Sequence, residues 1–230
     1  MKAYIHKIAA SDALDCDLKT IVPDALMRRR MSRIVRDGVM AAAVCAGERQ
    51  LDAIITATAY GCLSDSEKFL QMLLDSDEEL LSPTPFIQST FNTVGATVAL
   101  LGQYHCYNTT YAHGSASFSA ALLDAMMLIE EREARHVLVG AVEEVTPTLC
   151  ALLRRMRVES LPVQGGALFF LLSADETGAC AEVCVDSVET ILQKGYSDPL
   201  TPARTLYNAV VDRYSGALSI GNLNLNVRCI

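Results

Sequence analysis

The stretch Asn108-Thr109-Thr110-Tyr111-Ala112-His113-Gly114-Ser115-Ala116-Ser117 decides the reading of the fold, because two kinds of secondary structure meet in it. Its first half, Tyr107 to Ala112, is aromatic and β-branched and reads as a strand. After a turn at His113 and Gly114, Ser115 to Glu131 reads as a helix. The first half of that helix is nearly all Ser and Ala with Phe118, and polar residues arrive only near its end. A helix lacking a polar face is a buried one, so the chain should lead an edge or core strand directly into the centre of the molecule.

Working outward, strand and helix signals alternate. Residues 3–9 read as an opening strand, and Pro23 precedes one helix over 24–46 that stops at Gly47. Leu51 to Thr58 is an unbroken apolar strand, and Ser64 with Glu67 spells a capping box ahead of an amphipathic helix. Pro83 and Pro85 interrupt the pattern before a helix over 92–101. Val137–Val142 and Leu168–Leu172 are further buried strands, and Ala181–Ile191 alternates as the last of the main set. The order implies an α/β fold with a mostly parallel mixed sheet, a buried central helix and helices on the faces. Composition changes after Gly195, where Pro199 and Pro202 mark a linker, Ala203–Tyr214 a helix and Ala217–Arg228 one or two short strands. Residues 1–195 are therefore expected to form the main domain, and 196–230 a tail folded back on it.

The composition narrows the function classes. A chain of 230 residues with net charge −8 lacks the cationic surface that nucleic-acid binding needs. Its eight cysteines contain no C-x-x-C pair and most sit in apolar runs, as reduced thiols of a core do, and no metal site is expected. The basic N-terminus is followed by no apolar stretch, and no run approaches the ~20 apolar residues of a membrane span. These features place the protein in the cytoplasm.

Four segments carry a family resemblance. Asn92-Thr93-Val94-Gly95-Ala96-Thr97-Val98-Ala99-Leu100-Leu101-Gly102 is similar to the helix before the nucleophile of β-ketoacyl-acyl-carrier-protein synthases. Asn108 to Ser117 resembles their strand-and-elbow segment, which ends in T-A-C-A-S. Gly140-Ala141-Val142-Glu143-Glu144 resembles their G-G-x-E-E strand end, and Gln164-Gly165-Gly166-Ala167-Leu168 their G-E-G-A segment. The resemblance implies the N-terminal half of a thiolase fold. It sets Ser115 in the place of the catalytic cysteine. The two histidines and the lysine that complete the family's site belong to C-terminal motifs that this sequence does not contain. Cys62 to Phe69 with Phe86-Ile87-Gln88-Ser89-Thr90 further resembles short ketosynthase-like, chain-length-factor-like members associated with aryl-polyene and flexirubin-type pigments.

The candidate site residues follow. A cysteine at position 115 would be activated by the helix N-terminus, whereas a serine needs a general base within hydrogen-bond reach. His113 stands two residues away; it either approaches Ser115 or satisfies the backbone of the turn. Position 113 also excludes the G-x-S-x-G elbow of hydrolases. Arg29, Arg33 and Arg36 fall on one face of the expected helix, as a dock for an acidic carrier protein or its phosphopantetheine phosphate, or as a solvated face; Arg154, Arg155 and Arg157 form a weaker patch. No cofactor is implied beyond phosphopantetheine on a carrier. The resemblance implies a non-condensing subunit in fatty acid or polyketide biosynthesis, dimeric with itself or with a full-length ketosynthase. The alternatives are a Ser115-dependent acyltransferase or hydrolase, and a non-enzymatic interaction module. The buried helix needs a cover, supplied by residues 200–230 or by a partner.

Overall fold

In the computed structural model the described residues are 1–76, 81–158, 164–189 and 198–230. Among them, eight strands form one sheet: β1 (Lys2–Ala10), β2 (Ala53–Ala57), β3 (Tyr107–Tyr111), β4 (His136–Glu143), β5 (Gly166–Ser173), β6 (Ala181–Val188), β7 (Gly216–Ile220) and β8 (Leu223–Cys229). Their order is β3-β2-β4-β5-β1-β6-β8-β7. The helices are α1 (Leu18–Ile21), α2 (Ala25–Arg30), α3 (Arg33–Ala46), α4 (Leu63–Asp75), α5 (Pro83–Gln88), α6 (Thr93–Gly102), α7 (Ser117–Glu130), α8 (Pro147–Arg155) and α9 (Leu200–Val211).

The α/β class and the mixed sheet are as the sequence implied, but parallel pairing is confined to β3-β2 and β2-β4. The five other pairs are antiparallel. Buried strands of both kinds carry the same apolar run, so composition does not reveal direction. β5 shows why: Leu168, Phe170 and Leu172 enter one core with Phe118, Leu122 and Met126 of α7, and Ala167, Phe169 and Leu171 enter the other with Val35 and Val39 of α3. A strand covered on both faces has no polar side to alternate. At Gly140 of β4 the packing is tight enough that a Cβ would lie 2.4 Å from the Phe169 ring.

Four local expectations are corrected. The helix expected over 24–46 breaks at buried Met31 and extended Ser32, where Ser32 heads α3 as a typical N-terminal boundary residue. The capping box at Ser64 and Glu67 does not form: α4 begins two residues earlier, at Leu63, the Ser64 amide donates to the Glu144 carboxylate (2.8 Å), and Glu67 accepts from the Thr146 hydroxyl (2.5 Å). A carboxylate aimed at a helix N-terminus from the loop after β4 outcompetes the local cap. The helix expected from Ser115 opens with a 3₁₀ turn, Gly114–Ala116, before α7. Of the eight cysteines, all of them free thiols, only Cys45 and Cys62 are fully buried, and the rest are half-buried.

The last expected strand ends at Val188 within the described residues, and its predicted extension to Ile191, like the boundary at 195/196, lies outside them. Beyond it, α9 packs beside α7 and buries Ala203, Leu206 and Val210 in the same core. The β7–β8 hairpin extends the sheet through β6, its tight turn carried by Gly221 at φ 57° and Asn222.

Candidate functional site

The elbow between β3 and α7 is built by its own side chains. Gly114 turns the chain at φ 60°, a conformation that costs a residue with a Cβ. The Ser117 hydroxyl, fully buried, accepts the His113 amide (2.7 Å) and donates to the Thr58 carbonyl (2.9 Å). This clamps the turn to the end of β2 and sets Ser115 just before the first turn of α7. The Ser115 side chain is half-buried, and Oγ has no hydrogen-bond partner among the described residues. The helix N-terminal field, adequate to favour a thiolate, leaves a serine hydroxyl protonated.

His113 is exposed; its ring lies 6.2 Å from that of Tyr111, and its backbone amide serves the Ser117 clamp. From the other side, the β7–β8 turn rests on the elbow. The Asn222 side-chain oxygen meets Ser119 Oγ, which is also 3.0 Å from the Ala116 carbonyl. A Cβ at Gly221 would come within 2.8 Å of Ser119 Oγ and 3.5 Å of the Ser115 carbonyl.

A second element of the site was not assigned a role from the sequence. Glu143, at the end of β4, is fully buried and accepts hydrogen bonds from the amides of Ala59 (2.5 Å) and Tyr60 (3.3 Å) and the Thr58 hydroxyl (3.3 Å). Burial pushes its carboxyl up to about 7, against these three donors, which pull it down; Asp198 adds to the rise. Because Thr58 also receives the Ser117 hydroxyl, Glu143 and the elbow share one loop, 58–61. The doubled glutamate after an apolar strand was the available signal; its inward direction was not.

The basic candidates do not share a face. Arg29 lies on α2, whereas Arg33 and Arg36 lie on α3 beyond the break at Met31 and Ser32. Arg29 and Arg36 line one open groove with Lys19 and Arg28, of about 400 Å³. Arg33 lines a separate cleft of about 140 Å³ with Asp37, Glu143 and Glu144, and pairs with Asp37 at 3.7 Å. Arg154 and Arg155 are exposed at the end of α8, with Arg157 just beyond.

Residues 5–204 match the family described as beta-ketoacyl synthase, N-terminal domain. No curated protein matches the chain. Among solved structures, the complex of the ketosynthase ApeO with its chain length factor ApeC from Xenorhabdus doucetiae is similar at 20% identity and TM-score 0.72, over 99% of each chain. The type II polyketide synthase complex of the ketosynthase AntDE with the acyl-carrier protein AntF is similar at 16% identity and TM-score 0.69, over 90% of this chain and 73% of that one. The ishigamide ketosynthase/chain length factor is similar at 15% identity and TM-score 0.65, over 81% and 68%. Among the described residues, no helix is long and apolar enough to cross a membrane.

Proposed function

Because the chain belongs to the family of beta-ketoacyl synthase N-terminal domains, we propose that it is a non-condensing, ketosynthase-like subunit that handles a carrier-bound acyl chain together with a partner ketosynthase. The observation that carries this reading is the state of position 115. A serine stands there, its hydroxyl meets no base among the described residues, and the Gly221–Asn222 turn rests on the same elbow. A nucleophile without a base, and partly covered, supports a role in shaping or pairing over one in condensation. The similarity to a chain of equal extent from a complex of a ketosynthase with its chain length factor supports the partner in this reading.

Purified protein is expected to form no ketoacyl product from malonyl and acyl thioesters, and product would overturn the proposal. Ser115→Cys should give a thiol that iodoacetamide alkylates, yet no turnover, since one group does not replace a base and oxyanion donors.

Pairing is expected at the β3 edge. The Thr58 amide donates to the Tyr111 carbonyl, so by alternation Tyr107, Thr109 and Tyr111 turn their backbone groups to β2. Asn108 and Thr110 face the open edge, where no Lys or Pro discourages pairing. Thr109→Pro would therefore break the chain's own ladder, while Thr110→Pro tests the edge. Light scattering at micromolar concentration should give a dimer mass for the native chain, or for its mixture with a co-purified ketosynthase, and a folded monomer for Thr110→Pro. A strictly monomeric native chain that captures no ketosynthase contradicts the proposal.

A further inference from the structure

The open groove between α1, α2 and the start of α3 carries an unusual concentration of unpaired positive charge. Six of the chain's nineteen Lys and Arg residues fall within residues 18–36, against one acidic residue there, Asp24. Among the nearby acids, Asp17 alone lines the groove. Asp24 accepts the amides of Leu26 and Met27, Asp17 accepts the Lys19 amide, and Asp37 pairs with Arg33. Among the described residues, none of Lys19, Arg28, Arg29 and Arg36 forms an ion pair.

Two of these cations are held in place by carbonyls, which position a guanidinium without neutralising it. Arg28 Nη1 donates to the carbonyls of Val22 (2.5 Å) and Pro23 (2.7 Å), and Arg36 Nη2 donates to the carbonyl of Arg28 (3.2 Å). Arg29 and the Lys19 ammonium keep all their donors available among the described residues. Like charges gathered in one groove repel one another; here Arg29 comes from α2 and Arg36 from α3.

We propose that this groove is a binding site for phosphate-bearing anions of the pyrophosphate or phosphate-ester class. Four cations against the single carboxylate of Asp17 exceed what one carboxylate ligand neutralises, and match an anion of two or more charges. The lining contains no aromatic ring on which a base could stack, so recognition rests on the phosphate and not on a nucleobase. The site does not depend on the acyl-chain role proposed above, and its test uses no ketosynthase.

Isothermal titration of the full chain at low ionic strength, with inorganic pyrophosphate and with 4′-phosphopantetheine, checks it. Pantetheine, which lacks the phosphate, serves as control. Both phosphate ligands should bind, pantetheine should not, and affinity should fall steeply with added salt. Arg29→Glu should weaken binding at least tenfold without altering the melting temperature, because the Arg29 side chain is exposed and forms no hydrogen bond or ion pair among the described residues. Arg154→Glu, in the other basic patch, should leave binding unchanged. Tighter binding of phosphopantetheine than of pyrophosphate identifies the phosphate of a carrier's arm as the source, and the reverse identifies a free polyphosphate; either keeps the site. No binding of either phosphate ligand, or equal loss in Arg29→Glu and Arg154→Glu, overturns the proposal.

Discussion

Removal of residues 199–230 is expected to abolish the soluble, cooperatively folding protein. The segment contributes Leu206, Ile220, Leu225 and Val227, all without exposed surface, to the core that also holds Phe118, Leu122 and Met126 of the central helix. It also supplies β8, which pairs along β6 from Ala181 to Val188. Each fully buried side chain of this kind is worth about 1.5–3 kcal/mol, so losing these four is comparable to the ~5–15 kcal/mol by which a typical domain is stable. The truncated chain should bind ANS strongly and precipitate on concentration. The single substitution Leu206→Ala, which leaves the backbone intact, should cost about 2–5 kcal/mol, read from the shift in urea midpoint. A truncated chain that stays soluble, ignores the dye and melts where the full chain does would show that the tail is dispensable and that a partner covers α7.

Stability is expected to fall as pH rises from about 4.5 to about 7, with Glu143 as the cause. The folded carboxyl has a pKa of about 7 against 4.5 in its ordinary state. Between those values the native protein holds a proton that the unfolded chain has released, so proton binding favours the fold on the acid side and that advantage disappears above pH 7. The shift corresponds to about 3 kcal/mol between pH 4.5 and 8. Glu143→Gln removes the titration while keeping an oxygen for the Ala59 or Tyr60 amide, and should flatten this part of the profile. Glu143→Ala leaves both amides without their acceptor and should destabilise at every pH by about 2–4 kcal/mol. Urea denaturation of the three proteins at pH 5, 6, 7 and 8 measures both effects. A slope that persists in Glu143→Gln would assign the titration to another group and overturn this account.

The central helix, the strands on either side of it and the stop at Gly47 were legible because each rests on local composition: Ser and Ala beside Phe118, apolar runs in β2, β4 and β5, and a glycine with positive φ. The turn between β3 and α7 was legible too, because its residues occupy one contiguous stretch. The β7–β8 hairpin was readable as strands, while its turn on Ser119 was not, since residues 119 and 222 are far apart in the chain. Likewise, nothing local tells Glu67 and Ser64 to prefer Thr146 and Glu144 over each other, or Ser32 to interrupt a helix whose pattern runs through it.

Residue identity by itself determined the α/β class, the buried helix, the serine at the turn into that helix and the excess of arginine near residue 30. Tertiary structure alone decided the direction of β5 and its neighbours, the inward turn of Glu143, the cover over α7 and the separation of Arg33 from Arg29 and Arg36. The physical reason is range. Periodicity and turn chemistry act over a few residues and are written in the chain. Strand direction, burial of a charge and competition for a helix N-terminus are settled by groups that meet only after the backbone has closed around them.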